Sequence, residues 1–434
     1  MRFANWLWLA HRVPGRPALL ANLLLQEVAF VGAVALIALA CRQAVPGWVR
    51  RWRPQRLLWG SPLWGTALLA AVGLAAGGAV ARGPSLIDDA SSMAICGARA
   101  MVAGHDPYRV PEIACLDRLH VSVLGSTPFR RGPLAGVRGY PTPPEVVAAA
   151  ALARRQGARS TLFTRLAKPP LDPAVMVPVA RAPATLRALW TMLPCLVLLV
   201  AVLWAAGALW PVAAALFALL YFIHGSVLDF GVTGNVETFS YALMGLSVLW
   251  MRRPALSAIC LGLAISLNEL AWFVLPAYVL LTLGREGWWR RWIALGVTVA
   301  VAVGPWLLLY PDAPATIWSA LRAPTFPLGS GPIELVLADF VPEPPQMLPL
   351  TAAGLVMLGT FVAGLMRPRW RVAAAVLLVA GFWFSWRSLD EYLAQIPLLA
   401  LVAVLAMLDR DAPASGGEPP GQALRPAVSG GPAA

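Results

Sequence analysis

The sequence predicts an all-α fold, a polytopic transmembrane helical bundle of about eleven spans with one large extracytoplasmic loop after the second span. Three observations predict it. Hydrophobic residues make up 59% of the 434 and charged residues only 13%, with a mean hydropathy of +0.69, whereas soluble chains carry about 25% charge. Apolar runs close to bilayer length recur along the chain. Arginines and carboxylates alternate between successive loops, as they do when a chain threads a membrane repeatedly.

The runs, in order, cover 19–41, 62–82, 186–206, 211–224, 237–250, 255–268, 270–283, 292–310, 348–366, 372–386 and 391–408. Several in the middle are shorter than a bilayer, as broken or re-entrant helices are. Residues 1–61 read as an extra N-terminal span with a basic cytoplasmic loop, 62–408 as the main membrane domain, and 83–185 within it as the outer loop. The tail from 409 to 434 is rich in Pro, Gly, Ala and Ser and reads as disordered. The run ending in Ala38-Leu39-Ala40 resembles a signal peptide, but five arginines (Arg42, Arg50, Arg51, Arg53, Arg56) follow it and oppose export. We therefore read an uncleaved span with its N-terminus outside.

Arginine-rich short loops stay cytoplasmic. Under this span order Arg252 and Arg253, Arg285, Arg290 and Arg291, and Arg367, Arg369 and Arg371 join the first cluster on one side. Asp88, Asp89, Asp172, Glu237, Glu269, Asp312 and Asp390 gather on the other. That places the chain in the plasma (inner) membrane with a cytoplasmic C-terminus and its acidic face outside. The net charge of +13 is scattered between spans, so it marks topology and membrane-lipid contact, not nucleic-acid binding.

Within the outer loop, the spacing of Ala94, Ile95, Ala98 and Met101 predicts a helix, stopped at Gly104 by the following His105-Asp106-Pro107-Tyr108. The stretch from Ala174 to Ala180 is too short to span and reads as an interfacial helix. Cys96 and Cys115 share the loop, in a compartment that permits disulfides. A bond between them would clamp the His105–Tyr108 turn, and free thiols are the alternative. The chain has no Walker loop, no Gly-x-Ser-x-Gly elbow, no dinucleotide fingerprint and no metal-ligand spacing. No metal site and no cofactor are expected from these residues, although a divalent ion stays open.

Asp88-Asp89 after a span, the helix leading to Gly104-His105-Asp106-Pro107-Tyr108, Lys168-Pro169-Pro170-Leu171, Gly234-Asn235-Val236-Glu237, the segment from Leu261 to Pro276, and Arg387-Ser388 before Tyr392 together form a pattern. In these features the chain resembles the GT-C membrane glycosyltransferases, and among them the bacterial polyprenyl-phosphate-mannose-dependent mannosyltransferases. It departs from them where Asn235 and Glu237 replace an amide pair, where Asn268-Glu269 stands in a place relatives often give to lysine, and in the added 19–41 span. The resemblance implies a helical bundle, an outer-loop aspartate as general base, a polyprenyl-phosphate sugar as donor (lipid-linked substrate, not cofactor), and an extracytoplasmic glycan or glycolipid as acceptor.

Inverting transfer from a prenyl phosphate needs a carboxylate to take the acceptor's proton and a cation near the departing phosphate. Asp88 and Asp89 are the candidate bases, and since neighbours on a helix point about 100° apart, only one can face a given acceptor. Asp88 is preferred, and helix capping is the competing role for either. Lys168, Arg387, Arg165, Arg322 and His224 are candidate phosphate ligands, each with a competing reading as a headgroup anchor. His105, Asp106, Tyr108, Asn235, Glu237 and Glu269 are candidates for contact with sugar or acceptor. Two other functions fit the same composition: a lipid or glycan transporter or flippase, which would favour ionisable groups near the midplane and internal repeats, and a lipid-diphosphate-dependent glycan polymerase or ligase.

Overall fold

The computed structural model describes residues 28, 31–32, 89–119, 142, 144–145, 147–148, 151–152, 166–207, 234–285, 287–321, 328–329, 331–337 and 340–388. The helices are α1 (Asp89–Val102), α2 (Ile113–Arg118), α3 (Leu171–Met176), α4 (Ala184–Gly207), α5 (Glu237–Leu249), α6 (Pro254–Leu267), α7 (Leu275–Thr282), α8 (Trp288–Leu309), α9 (Ala313–Leu321), α10 (Ile333–Leu337), α11 (Met347–Met366) and α12 (Arg371–Ala380). The described architecture is thus all-helical apart from one parallel pair of two residues, β1 (Leu328–Gly329) against β2 (Arg387–Ser388).

Two of these helices are long and apolar enough to cross a membrane: α8, with 22 residues, and α11, with 20. Both leave large apolar side chains uncovered; Val301 and Leu308 on α8 are 70% and 86% exposed, and Met366 on α11 is 76% exposed. Such a surface is unfavourable in water and compatible with lipid. The expected spans 186–206, 237–250 and 255–268 coincide with α4, α5 and α6. The runs 62–82, 211–224 and 391–408, and most of 19–41, lie outside the described residues, as does the tail 409–434.

Where a run was expected as one helix, 270–283, the chain instead forms a 3-10 turn (Glu269–Val274) and then α7. Asn268 causes the break: its backbone is extended (φ −145°, ψ 138°) and its Oδ1 accepts from the Leu270 amide, which is the local competition that starts a new helix. Pro276 then sits in the first turn of α7, where its missing N–H costs nothing. The run 372–386 likewise ends α12 at Ala380 and tightens into a 3-10 turn over Gly381–Phe384. The stretch Ala174–Ala180, expected to be helical, is so: α3 continues to Met176 and tightens into a 3-10 turn at Val177–Val179.

The core joins α5, α6, α7 and α12 through Tyr241, Met244, Leu261, Ala264, Tyr278, Ala374 and Leu378. The arginine turns gather at one end of it. Arg291, 2% exposed, donates Nη2 to the Met251 carbonyl at 2.6 Å, joining the α7–α8 and α5–α6 turns. Gly364, just before the third turn, faces Leu280 and Ala374. At the opposite end, the first half of α1 packs against Val236, Leu267 and the α3 region.

The α6–α8 crossing is close because Gly262 lies against α8. A Cβ added there would stand 2.9 Å from Thr298 Cβ, whereas one added at Gly296 would meet nothing within 4 Å. Gly262→Leu should therefore lower the thermal midpoint of the detergent-solubilised protein, by about 1–3 kcal/mol of overpacking, and Gly296→Leu should leave it near wild type.

Candidate functional site

The acidic end of the bundle is organised around Lys168, the single lysine of the chain. Its position is fixed from outside inwards. Helix α1 ends in a tight cap: Gly104 takes a positive φ of 74°, its amide bonds to the Met101 carbonyl, and the His105 amide reaches the Ala100 carbonyl, a pairing that stops the helix at once. In the next turn Asp106 Oδ1 accepts from the Tyr108 amide at 2.9 Å. The Cys96–Cys115 disulfide, across 19 residues, closes this segment into a ring. Tyr108, fully buried, then donates its hydroxyl to the Lys168 carbonyl at 2.8 Å. Burial, and then the nearby Asp172, Asp106 and Glu112, push that phenol far above its ordinary range, so it stays a donor.

The lysine ammonium meets carboxylates from two other elements. Nζ lies 2.8 Å from Glu269 Oε1 and 3.6 Å from Glu237 Oε1. Glu237 opens α5: its amide bonds to Asn235 Oδ1 and its Oε2 accepts from the Tyr241 hydroxyl one turn later at 2.7 Å. Gly234, at φ 82°, supplies the turn before it. Glu269 follows Asn268 directly after α6. Asp172, in the first turn of α3, is 2% exposed and also feels these charges.

One ammonium cannot neutralise three carboxylates. Burial opposes the charge on Lys168, but Glu269, Glu237 and Asp172 outweigh it and hold the ammonium well above its usual range. For Asp172, burial and the two glutamates outweigh the attraction of Lys168 and raise its carboxyl well above the ordinary 3.8. Lys168 is therefore held as an ammonium beside the two glutamates, and the Asp172 carboxyl is pushed toward its protonated form. Asp172 Oδ1, Glu269 Oε2, Asn235 Nδ2 and Asn268 Nδ2 are buried and make no hydrogen bond to any described residue. Two donors and two acceptors at the end of a bundle match the hydroxyls of a polyol or sugar, which both give and accept.

The structure brings Lys168, Asn235, Glu237 and Glu269 together. Lys168 is paired with two carboxylates, an arrangement that holds the glutamates in place. Tyr108 is fully buried with its hydroxyl bonded to the Lys168 carbonyl, so it positions Lys168. Asp106 is used in its turn and lies 3.5 Å from Arg109 Nε, which bonds Asp312 at 2.6 Å. His105 is exposed beside this turn. Asp89 opens α1 and Arg387 opens β2, with side chains outside the described set; Asp88, Arg165, Arg322 and His224 lie outside the described residues altogether. Among the described residues no group of three or more His, Cys, Asp or Glu is arranged to hold a metal. Asp172, Asn268 and Tyr241 were not singled out from sequence. The spacing of Tyr241 four residues after Glu237 on one helix was the available signal.

No protein-family model, curated protein or solved structure matches this chain.

Removing the ammonium strands the buried Glu237 carboxylate and the half-buried Glu269 carboxylate, so Lys168→Met should destabilise by up to about 3 kcal/mol, measured as loss of thermal midpoint. Asp172→Asn mimics the protonated form and should fold normally. Because the folded carboxyl titrates above 3.8, its contribution is complete below that pH and is lost as pH rises through the raised folded value. Wild type should thus lose stability relative to Asp172→Asn as a thermal-midpoint series moves upward from the ordinary carboxyl value of 3.8. Replacing Cys96 and Cys115 by serine opens the ring across 19 residues and should cost about 3 kcal/mol, with the same shift on reduction of wild type.

Proposed function

We propose that this chain is a multi-pass plasma-membrane glycosyltransferase of the GT-C type, acting with inversion on its extracytoplasmic side with a polyprenyl-phosphate sugar, mannose in the first instance, as donor. The observation that carries the reading is the juxtaposition at the acidic end. Helix α1, opened by Asp89, has its first half buried, with Ser91 and Ser92 fully covered, against the same segments that deliver Lys168, Glu237 and Asp172. The pair Asp88-Asp89 thus leads directly into the buried end of this helix, while its far end emerges at the exposed Gly104 and His105.

Support for orientation comes from the charged turns. Three arginine turns share one end of the bundle, which the positive-inside tendency assigns to the cytoplasm, and the disulfide lies at the other, where oxidation is permitted.

In this reading, one of Asp88 and Asp89 takes the proton of the acceptor hydroxyl as its oxygen attacks the anomeric carbon. The bond from that carbon to the phosphate oxygen breaks, and the electron pair leaves with the prenyl phosphate. Asn235, Asn268 and Glu269 hold sugar hydroxyls, and Lys168 keeps the glutamates in place. The acceptor is a glycan or glycolipid on the outer face.

A second reading, a proton-coupled carrier or flippase, is favoured by the buried Asp172, whose carboxyl is raised above its ordinary range near an ion-paired lysine, an arrangement suited to proton exchange in a membrane protein.

The two separate in one assay. Purified protein is supplied with radiolabelled prenyl-phosphate sugars, and both transfer to acceptor and acceptor-independent release of sugar are measured. Wild type should turn over, and Asp88→Asn or Asp89→Asn should lose about 10²–10⁴-fold, as removal of a general base does. Turnover that survives both substitutions would refute the proposed base, and vesicle uptake without turnover would favour the carrier.

A further inference from the structure

Two arginines converge on one turn of the outer region. Arg99, on α1, donates Nε to the Ala180 carbonyl at 3.0 Å, and Arg187, on α4, donates Nη1 to the Ala182 carbonyl at 2.6 Å. Arg187 is 7% exposed, and its Nε has no hydrogen-bond partner among the described residues. Burial and then the charge of Arg118, at the end of α2, act on Arg99, and burial and then the charge of Arg99 act on Arg187. Among the described residues no carboxylate pairs with any of the three. Of the acids of this end, Glu237 and Glu269 are engaged with Lys168, and Asp106 and Asp312 with Arg109.

Like-charged groups gathered in a partly dry place are unfavourable, and arginine cannot escape by losing its proton. An oxyanion removes the conflict, and the planar guanidinium fork fits phosphate oxygens in particular. The same helix suggests what the phosphate is attached to. Leu186, Leu189, Leu193 and Val197, on α4 at helical spacing, are each about half exposed, at 48%, 52%, 48% and 47%, and form an apolar stripe leading away from Arg187. The Trp190 indole, bonded to the Val175 carbonyl, fixes the turn against this helix.

We propose that Arg99 and Arg187, with the charge of Arg118 nearby, bind the phosphate of an amphiphile whose apolar chain lies along the exposed stripe of α4. A prenyl phosphate and a phospholipid headgroup share this chemistry. That the occupant is the sugar donor rests on the transferase reading; the site itself does not.

The test uses the full chain in neutral detergent, titrated with a prenyl monophosphate, phosphatidylglycerol, inorganic phosphate and the uncharged prenol of equal length, and read by native mass spectrometry. At least one of the two lipid phosphates should bind about tenfold or more tightly than prenol or inorganic phosphate, and Arg99→Gln and Arg187→Gln should each weaken it about tenfold, the scale of a charge-assisted hydrogen bond. Arg187→Lys should retain part of the affinity. Arg118 is exposed, so Arg118→Gln should fold normally and still bind several-fold more weakly, which keeps the test decisive if a buried variant misfolds. Preference for the prenyl phosphate identifies a donor site, and preference for phosphatidylglycerol a structural lipid site. Equal binding of prenol, equal binding of inorganic phosphate, or unchanged affinity in the glutamine variants overturns the proposal. Intact lipid-phosphate binding without sugar transfer would count against the transferase reading alone.

Discussion

The ammonium of Lys168 holds together parts of the chain that are far apart in sequence. It arrives on a loop that Tyr108 fixes, and it joins the start of α5 through Glu237 to the residue after α6 through Glu269. Buried charge is tolerable only when compensated, so the loop, the two helix ends and the α1 cap have to be placed as a unit. Asp172, buried beside the same charges, has its carboxyl raised well above the ordinary range. An ion pair of this kind adds little net stability over an apolar substitute. Its effect is to specify which helix end meets which loop.

The helical bundle has two chemically distinct ends. At one, arginines cap short turns and Arg291 crosses between them to the Met251 carbonyl. At the other lie the carboxylates, the disulfide and a second set of arginines, Arg99, Arg118 and Arg187. Helix propensity alone does not produce this segregation. It reflects what each end has to meet, and the apolar flanks of α8 and α11 between them are uncovered by any other described part of the chain.

Much of this was legible in the residues. The apolar runs located α4, α5, α6, α8 and α11, because length and apolarity determine such helices with little help from tertiary context. Gly104 and Pro107 marked the end of α1, and the spacing of Cys96 and Cys115 allowed the ring that forms. The boundary at Asn268 was legible, but the 3-10 turn over Glu269–Val274 that follows it was not, since an asparagine shows its capping role only through the backbone it bends. The pairing of Lys168 was missed for a different reason. Sequence assigns a charge to a residue but not its partner, and Glu237 and Glu269 lie 69 and 101 residues away. Arg99 and Arg187 were hidden in the same way, since they share only the two carbonyls of a turn.

The ring closed by Cys96 and Cys115 has a consequence for biogenesis. In the proposed orientation its thiols meet an oxidant only after the segment has been exported, so the cap over Lys168 is sealed after the flanking helices have entered the bilayer. Maturation then has a fixed sequence, insertion first and covalent locking second. A chain stalled between the two would carry its helices in the membrane with an unfinished outer face.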